Sequence, residues 1–118
     1  MSQTVNTAVS LQTLAPLDLP PATLVALSAA AVLSPATVNM CDTTSAAFTV
    51  TLPSAASCVG RSLVVFLNVY GSGHTLTIAP SGSDDINGSS SSLTLTSAHT
   101  AYKLLSIASG QWVALSSL

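Results

Sequence analysis

The side chains that could do acid–base chemistry are few and widely spaced. All four carboxylates are aspartates, glutamate is absent, and the two histidines are His74 and His99. General acid–base catalysis needs two positioned titratable groups whose pKa values are pushed apart. Asp84 and Asp85 are adjacent, so on a strand they would face opposite sides, and in a loop they are expected to cap or turn the backbone. We therefore expect a protein that is not an enzyme.

The possible metal ligands do not form a recognisable set either. Cys41 and Cys58 have no CxxC spacing and no histidine beside them. The stretch 85–88 lacks the earlier ligands and the bidentate Glu of a calcium loop, and its Asn87-Gly88 pair predicts a turn instead. We expect no metal and no cofactor; the less favoured alternative is a metal held by histidines across a threefold axis. Free buried thiols are expected, with a Cys41–Cys58 bridge as the less favoured alternative.

Composition indicates a protein that associates. Charged residues make up 5% of the chain and hydrophobic residues 48%, whereas about 25% charge is usual. Charge repulsion therefore cannot keep copies apart, and we expect an oligomer or an assembled particle, in preference to a secreted Ser/Thr-rich monomer.

Charge and hydropathy also exclude two classes of partner. Arg61 and Lys103 are the only permanent cations and the net charge is −2, so binding to nucleic acid is not expected. The apolar stretch 24–33 is too short to span a bilayer, and no basic region precedes an apolar one at the start. We expect synthesis in the cytoplasm and no membrane partner.

Two regions with different patterns would have to position any functional side chains. Residues 1–22 hold leucines scattered among polar residues and end in prolines, which predicts an extended N-terminal arm used for docking. The leucines, our candidate interface anchors in the arm, are Leu11, Leu14, Leu17 and Leu19.

Residues 23–118 are predicted to form a β-domain. Alternation is clearest at 48–52, while residues 23–33 fit a strand or a short helix equally well. The apolar run 63–67 predicts a strand buried on both faces, one towards its own core and one towards a partner, so Val64 and Phe66 are interface candidates. The spacing of turn signals predicts an all-β fold, a compact antiparallel β-sandwich or barrel of six to eight short strands.

A series of short segments resembles a recurrent β-module of tailed-bacteriophage virion proteins. The segments are 42–55, 60–65, 76–80, 84–88 and 104–113, they follow the module's order, and the match extends over residues 24–118. Such modules occur in head decoration (cement) proteins, head fibres and tail fibres, which are typically trimers. The resemblance implies no catalytic residue.

A short arm followed by one β-domain is similar to a decoration protein. That likeness implies a homotrimer bound to the major capsid protein on the outer surface of the virion head, where it stabilises the shell. The alternative is a short tail fibre or receptor-binding tip that recognises a host-surface glycan. It predicts an exposed aromatic side chain at Tyr70, Tyr102 or Trp112, although core packing is favoured for Tyr102 and Trp112.

Overall fold

Residues 23–115, the part that the computed structural model describes, form ten strands and one turn of 3-10 helix. The strands are β1 (Thr23–Leu27), β2 (Ala31–Val32), β3 (Thr37–Asp42), β4 (Phe48–Thr51), β5 (Ser62–Val69), β6 (Leu76–Ala79), β7 (Asp85–Ile86), β8 (Leu93–Leu95), β9 (Thr100–Ala108) and β10 (Gln111–Leu115). The 3-10 turn, Ala55–Ser57, lies between β4 and β5. No helix within this range is long and apolar enough to cross a membrane.

The strands make two mixed sheets with the core between them. One sheet has six strands in the order β1-β3-β5-β9-β10-β7, and the other has four in the order β2-β4-β6-β8. From β1 to β9 the chain changes sheet at every strand. We call each successive pair, β1 with β2, β3 with β4, and β5 with β6, a rung, because each rung stacks on the next with parallel pairing.

The all-β prediction is confirmed, but the prediction of antiparallel pairing is wrong for most of the fold. Five of the eight strand pairings are parallel, and only β5/β9, β9/β10 and β6/β8 are antiparallel. A chain that crosses to the opposite sheet after each strand returns in its original direction, so neighbours within a sheet run parallel. There are ten strands in this range instead of six to eight, because β2 and β7 have only two residues each.

The core is built by alternation along the longer strands. Leu63, Val65 and Leu67 of β5 are buried between the sheets and meet Val50 and Ile78 of the four-stranded sheet in one apolar cluster. Each such side chain contributes about 1.5–3 kcal/mol when fully buried. The ambiguous stretch 23–33 forms β1 and β2, because its apolar side chains extend the same stack.

Tight turns follow local sequence chemistry. Asn87 and Gly88 both have positive φ (54° and 78°), and the Ile86 and Ser89 amides each donate to the other residue's carbonyl at 2.8 and 3.0 Å. The predicted turn at Asn87-Gly88 is thereby confirmed.

Candidate functional site

The outward surface of the six-stranded sheet is apolar. In β3 the residues between the buried ones are Val38 and Met40, and in β5 they include Val64 and Phe66. Side chains alternate across a strand, so these residues point away from the core. They are half-buried by their neighbours on the sheet and partly open to solvent.

Strand register aligns these side chains into rows that cross the sheet. The first row is Leu24, Val38, Val64, Lys103 and Leu115, and the second is Ala26, Met40, Phe66 and Ala101. A shorter third row is Ser62, Leu105 and Val113, in which Ser62 is polar. We use the name outer apolar face for the set Leu24, Ala26, Val38, Met40, Val64, Phe66, Leu105, Val113 and Leu115.

The apolar side chains at the two ends of the first row are exposed. Leu24 is 63% exposed and Leu115 is 48% exposed, while Val64 lies half-buried between them. In the second row the Phe66 ring stacks on His99, with centroids 6.1 Å apart and an angle of 13° between the planes. A ring held in one orientation loses little entropy on binding a partner, which suits a contact surface.

Charge is nearly absent from this face. Lys103 lies between Val64 and Leu115 in the first row, and its long apolar stem can cover neighbouring methyl groups while the ammonium reaches water. Asp42, at the end of β3, is engaged in its own turn, where its Oδ1 accepts the Thr44 amide at 2.8 Å. Hydrogen bonds from the Thr44 side chain and backbone keep the pKa of Asp42 below its ordinary value.

The polar residues singled out from the sequence hold loops in place. The Asp84 carboxylate accepts the Ala55 amide at 2.9 Å, which confirms the expectation that this aspartate would cap backbone. His74 Nδ1 lies 2.8 Å from the Thr43 carbonyl oxygen, to which it donates. Within residues 23–115 no three His, Cys, Asp or Glu side chains gather in a way that could hold a metal ion.

Both cysteines are buried, and neither forms a disulfide. Cys41 is fully buried and Cys58 is 2% exposed. Burial raises the pKa of the Cys41 thiol to about 11, so it stays protonated near neutral pH and is a poor nucleophile there. Cys41 therefore acts as a small apolar core residue.

The aromatic side chains that a glycan-binding surface would use pack against the core instead. Trp112 is 1% exposed, and its Nε1 donates to the Pro53 carbonyl at 3.3 Å. Tyr70 and Tyr102 are partly buried and pack against the core. Core packing, the favoured prediction for Tyr102 and Trp112, is confirmed.

The candidate interface residues fall into two groups. Val64 and Phe66 lie together on the outer apolar face, whereas Leu11, Leu14, Leu17 and Leu19 lie outside the described residues. Sequence reasoning missed Leu24, Met40, Leu105 and Val113. Each belongs to an alternating pattern, but only the strand register shows that they share a face with Val64 and Phe66.

No protein-family model and no curated protein sequence matches this chain.

Proposed function

We propose that this protein is a structural component of a virus particle, a decoration (cement) protein that trimerises and binds the outer surface of the head to stabilise the shell. The observation that carries the proposal is the outer apolar face, which crosses five strands from β1 to β10 with one ionisable side chain, Lys103, among its rows. The resemblance of residues 24–118 to the virion β-module supports the same function.

The outer apolar face suits contact with copies of the same chain. Burying apolar surface is worth about 25 cal/mol per Å², and an ordinary specific interface removes about 800 Å² per partner. A sheet surface several strands wide can supply such an area. Because the whole chain has only six side chains that are formally charged at pH 7 (two Lys or Arg and four Asp), it has little charge repulsion to oppose association.

The polar side chains in the turns of this fold also favour a binding role. Asp42, Asp84 and His74 are each engaged by backbone groups in turns, where they stabilise loops instead of facing a cleft together. A decoration protein needs a rigid surface and a stable fold, and these loop contacts supply rigidity.

The proposal is tested with purified protein and particles that lack it. Added protein should bind on the order of hundreds of copies per head, spread over the symmetric shell, and should raise the temperature at which the heads release their genome. Densitometry of washed particles and a capsid melting curve measure the two effects.

A matched pair of variants separates specific binding from adhesion. Phe66→Asp places a charge on the outer apolar face, and Val59→Asp places one at an apolar residue that is 54% exposed in the loop before β5. Val59→Asp should bind heads as the wild type does, and Phe66→Asp should not. The decoration function would be refuted if the wild-type protein failed to bind the heads, or if it bound in only a few copies at one vertex.

A further inference from the structure

Within residues 23–115, both sheets end at the same end of the stack in an edge strand, β1 or β2, that pairs on one side only. The Thr23 amide donates to the Ala36 carbonyl at 3.1 Å. The backbone N–H and C=O groups of Thr23, Val25 and Leu27 therefore face β3. By alternation those of Leu24 and Ala26 face outward along the open edge of β1. The Leu33 amide likewise donates to Thr51 at 2.8 Å, which leaves the peptide group of Val32 on the open edge of β2.

The core is also open at this end. A cavity of about 90 Å³ is lined by side chains of β1, β2 and β3 together with Leu33. Val25 and Leu27 of β1 are only half-buried, whereas Asn39 and Cys41, their partners in the next rung, are fully buried. Open edges beside exposed core residues are a template for another strand.

A four-residue pattern marks the end of successive rungs. Leu followed by two residues that are Pro or Ser and then Ala occurs at 19–22, 33–36 and 52–55. Leu33 and Leu52 directly follow β2 and β4, pack side by side and are 4% and 0% exposed. The sequence of segment 19–22 therefore matches the end of a rung, one that would precede β1.

The spacing of the first rung allows residues 9–22 to be aligned with residues 23–36. Thr23 pairs with Thr37, an offset of 14 residues (37 − 23 = 14). At the same offset, Ala15, Leu19, Pro21 and Ala22 coincide with identical residues at 29, 33, 35 and 36.

At this offset, three of the four inward positions are leucine and all three outward positions are polar. The inward positions 25, 27, 31 and 33 correspond to Leu11, Thr13, Leu17 and Leu19. The outward positions 24, 26 and 32 correspond to Ser10, Gln12 and Asp18. This is the in–out alternation required of a strand pair with one buried face.

We propose that residues 9–22 of the same chain occupy this open end as an additional rung, pairing in parallel with β1 and β2 and closing the cavity with Leu11, Leu17 and Leu19. The same chain is the occupant because Pro21-Ala22 leads into Thr23 as Pro35-Ala36 leads into Thr37. Pro16, Pro20 and Asp18 suit a terminal rung, since proline removes donors and charge discourages further pairing at an edge.

The inference does not depend on the proposed function, but it changes the role expected of the arm. Three of the four leucines predicted to anchor on a capsid would instead complete the protein's own core. Capsid binding would then rest on the surfaces of the β-domain.

Engineered disulfides test the register on purified protein without particles. The pairs Asp18→Cys with Val32→Cys and Ser10→Cys with Leu24→Cys place cysteines at facing positions of adjacent parallel strands. Their Cα atoms would be about 4.8 Å apart, within the Cα–Cα range of a disulfide. Copper–phenanthroline is the oxidant: it takes two electrons from each thiol pair, the two thiol protons go to solvent, and one S–S bond forms. Gln12→Cys with Val32→Cys is the out-of-register control.

The readout is intact mass and non-reducing electrophoresis after the remaining thiols are blocked. Both in-register pairs should give a bridge within one chain, and the control pair should give none. Covalent dimers would assign the rung to a neighbouring copy and overturn the proposal. Absence of bridges in both pairs, or bridging of the control at an equal rate, would overturn it as well. None of these results bears on whether the protein binds heads.

Discussion

At the scale of single residues, buried Cys41 gives the fold a sensitivity to alkaline pH. Its pKa rises from 9.0 to about 11 because burial disfavours the thiolate. Above about pH 9 the unfolded chain loses this proton while the folded chain keeps it, so stability is complete below that pH and falls as the pH rises towards 11.

We therefore expect wild-type protein to lose about 2 kcal/mol more than Cys41→Ala when urea unfolding is compared at about pH 8 and about pH 10.5. All other side chains are common to both proteins, so any pH dependence that they contribute cancels in the difference. An equal pH dependence in the two proteins would show that Cys41 is not buried as described.

Gly71 is required for a different reason, close approach of two loops. A Cβ at this position would meet the Thr43 carbonyl oxygen and would lie 2.8 Å from His74 Nδ1. We expect Gly71→Ala to lower the free energy of unfolding by about 1–3 kcal/mol, the usual cost of overpacking, measured by urea denaturation.

Gly73→Asn is the matched control in the same turn. Gly73 has φ +78° and open space around its Cα, and asparagine tolerates this left-handed conformation. Its effect should be smaller than that of Gly71→Ala; the reverse order would contradict the loop geometry.

Local chemistry made some residues predictable. The turn at Asn87-Gly88 follows from residues that act on their own backbone. Asp84 was expected to cap backbone, but its partner, the Ala55 amide, is 29 residues away in the sequence and could not be named in advance. The need for glycine at position 71 could not be predicted, because it arises from Thr43 and Thr44, which are distant in sequence.

At the scale of elements, alternation was sufficient to place strands but not to orient them. Residues 48–51 form β4 as their period-two pattern indicates. The direction of a strand depends on whether the connection before it stays in the same sheet or crosses to the other sheet. A short connection that crosses between sheets has the same turn-forming residues as a hairpin. The antiparallel prediction was wrong for that reason, and the apolar residues of β3 and β5 could not be assigned to one face.

The end rung leads to an expectation for truncated chains. Deleting residues 2–22 should raise the hydrogen-exchange rates of β1 and β2 amides by about tenfold or more, since an edge strand with an open core loses protection. Deleting residues 2–8 should leave these rates unchanged, because this stretch precedes the proposed rung. Rates are measured by exchange mass spectrometry, and equal protection in both truncations would mean that residues 9–22 do not cover this end.

At the scale of the whole molecule, self-association through the outer apolar face is the central claim. The composition predicted association, and the fold provides a surface suited to it: rows of apolar side chains on the side of β3, β5 and β9 away from the core. Phe66 belongs to this surface and not to the core, so Phe66→Asp should separate the chains without unfolding them.

Sedimentation velocity over a concentration series tests this claim most directly. Wild-type protein and Val59→Asp should sediment as trimers, and Phe66→Asp should sediment as a single chain with a circular dichroism spectrum like that of the wild type. Wild-type protein that remains a single chain at the highest concentrations, or a Phe66→Asp protein that remains a trimer, would contradict the account.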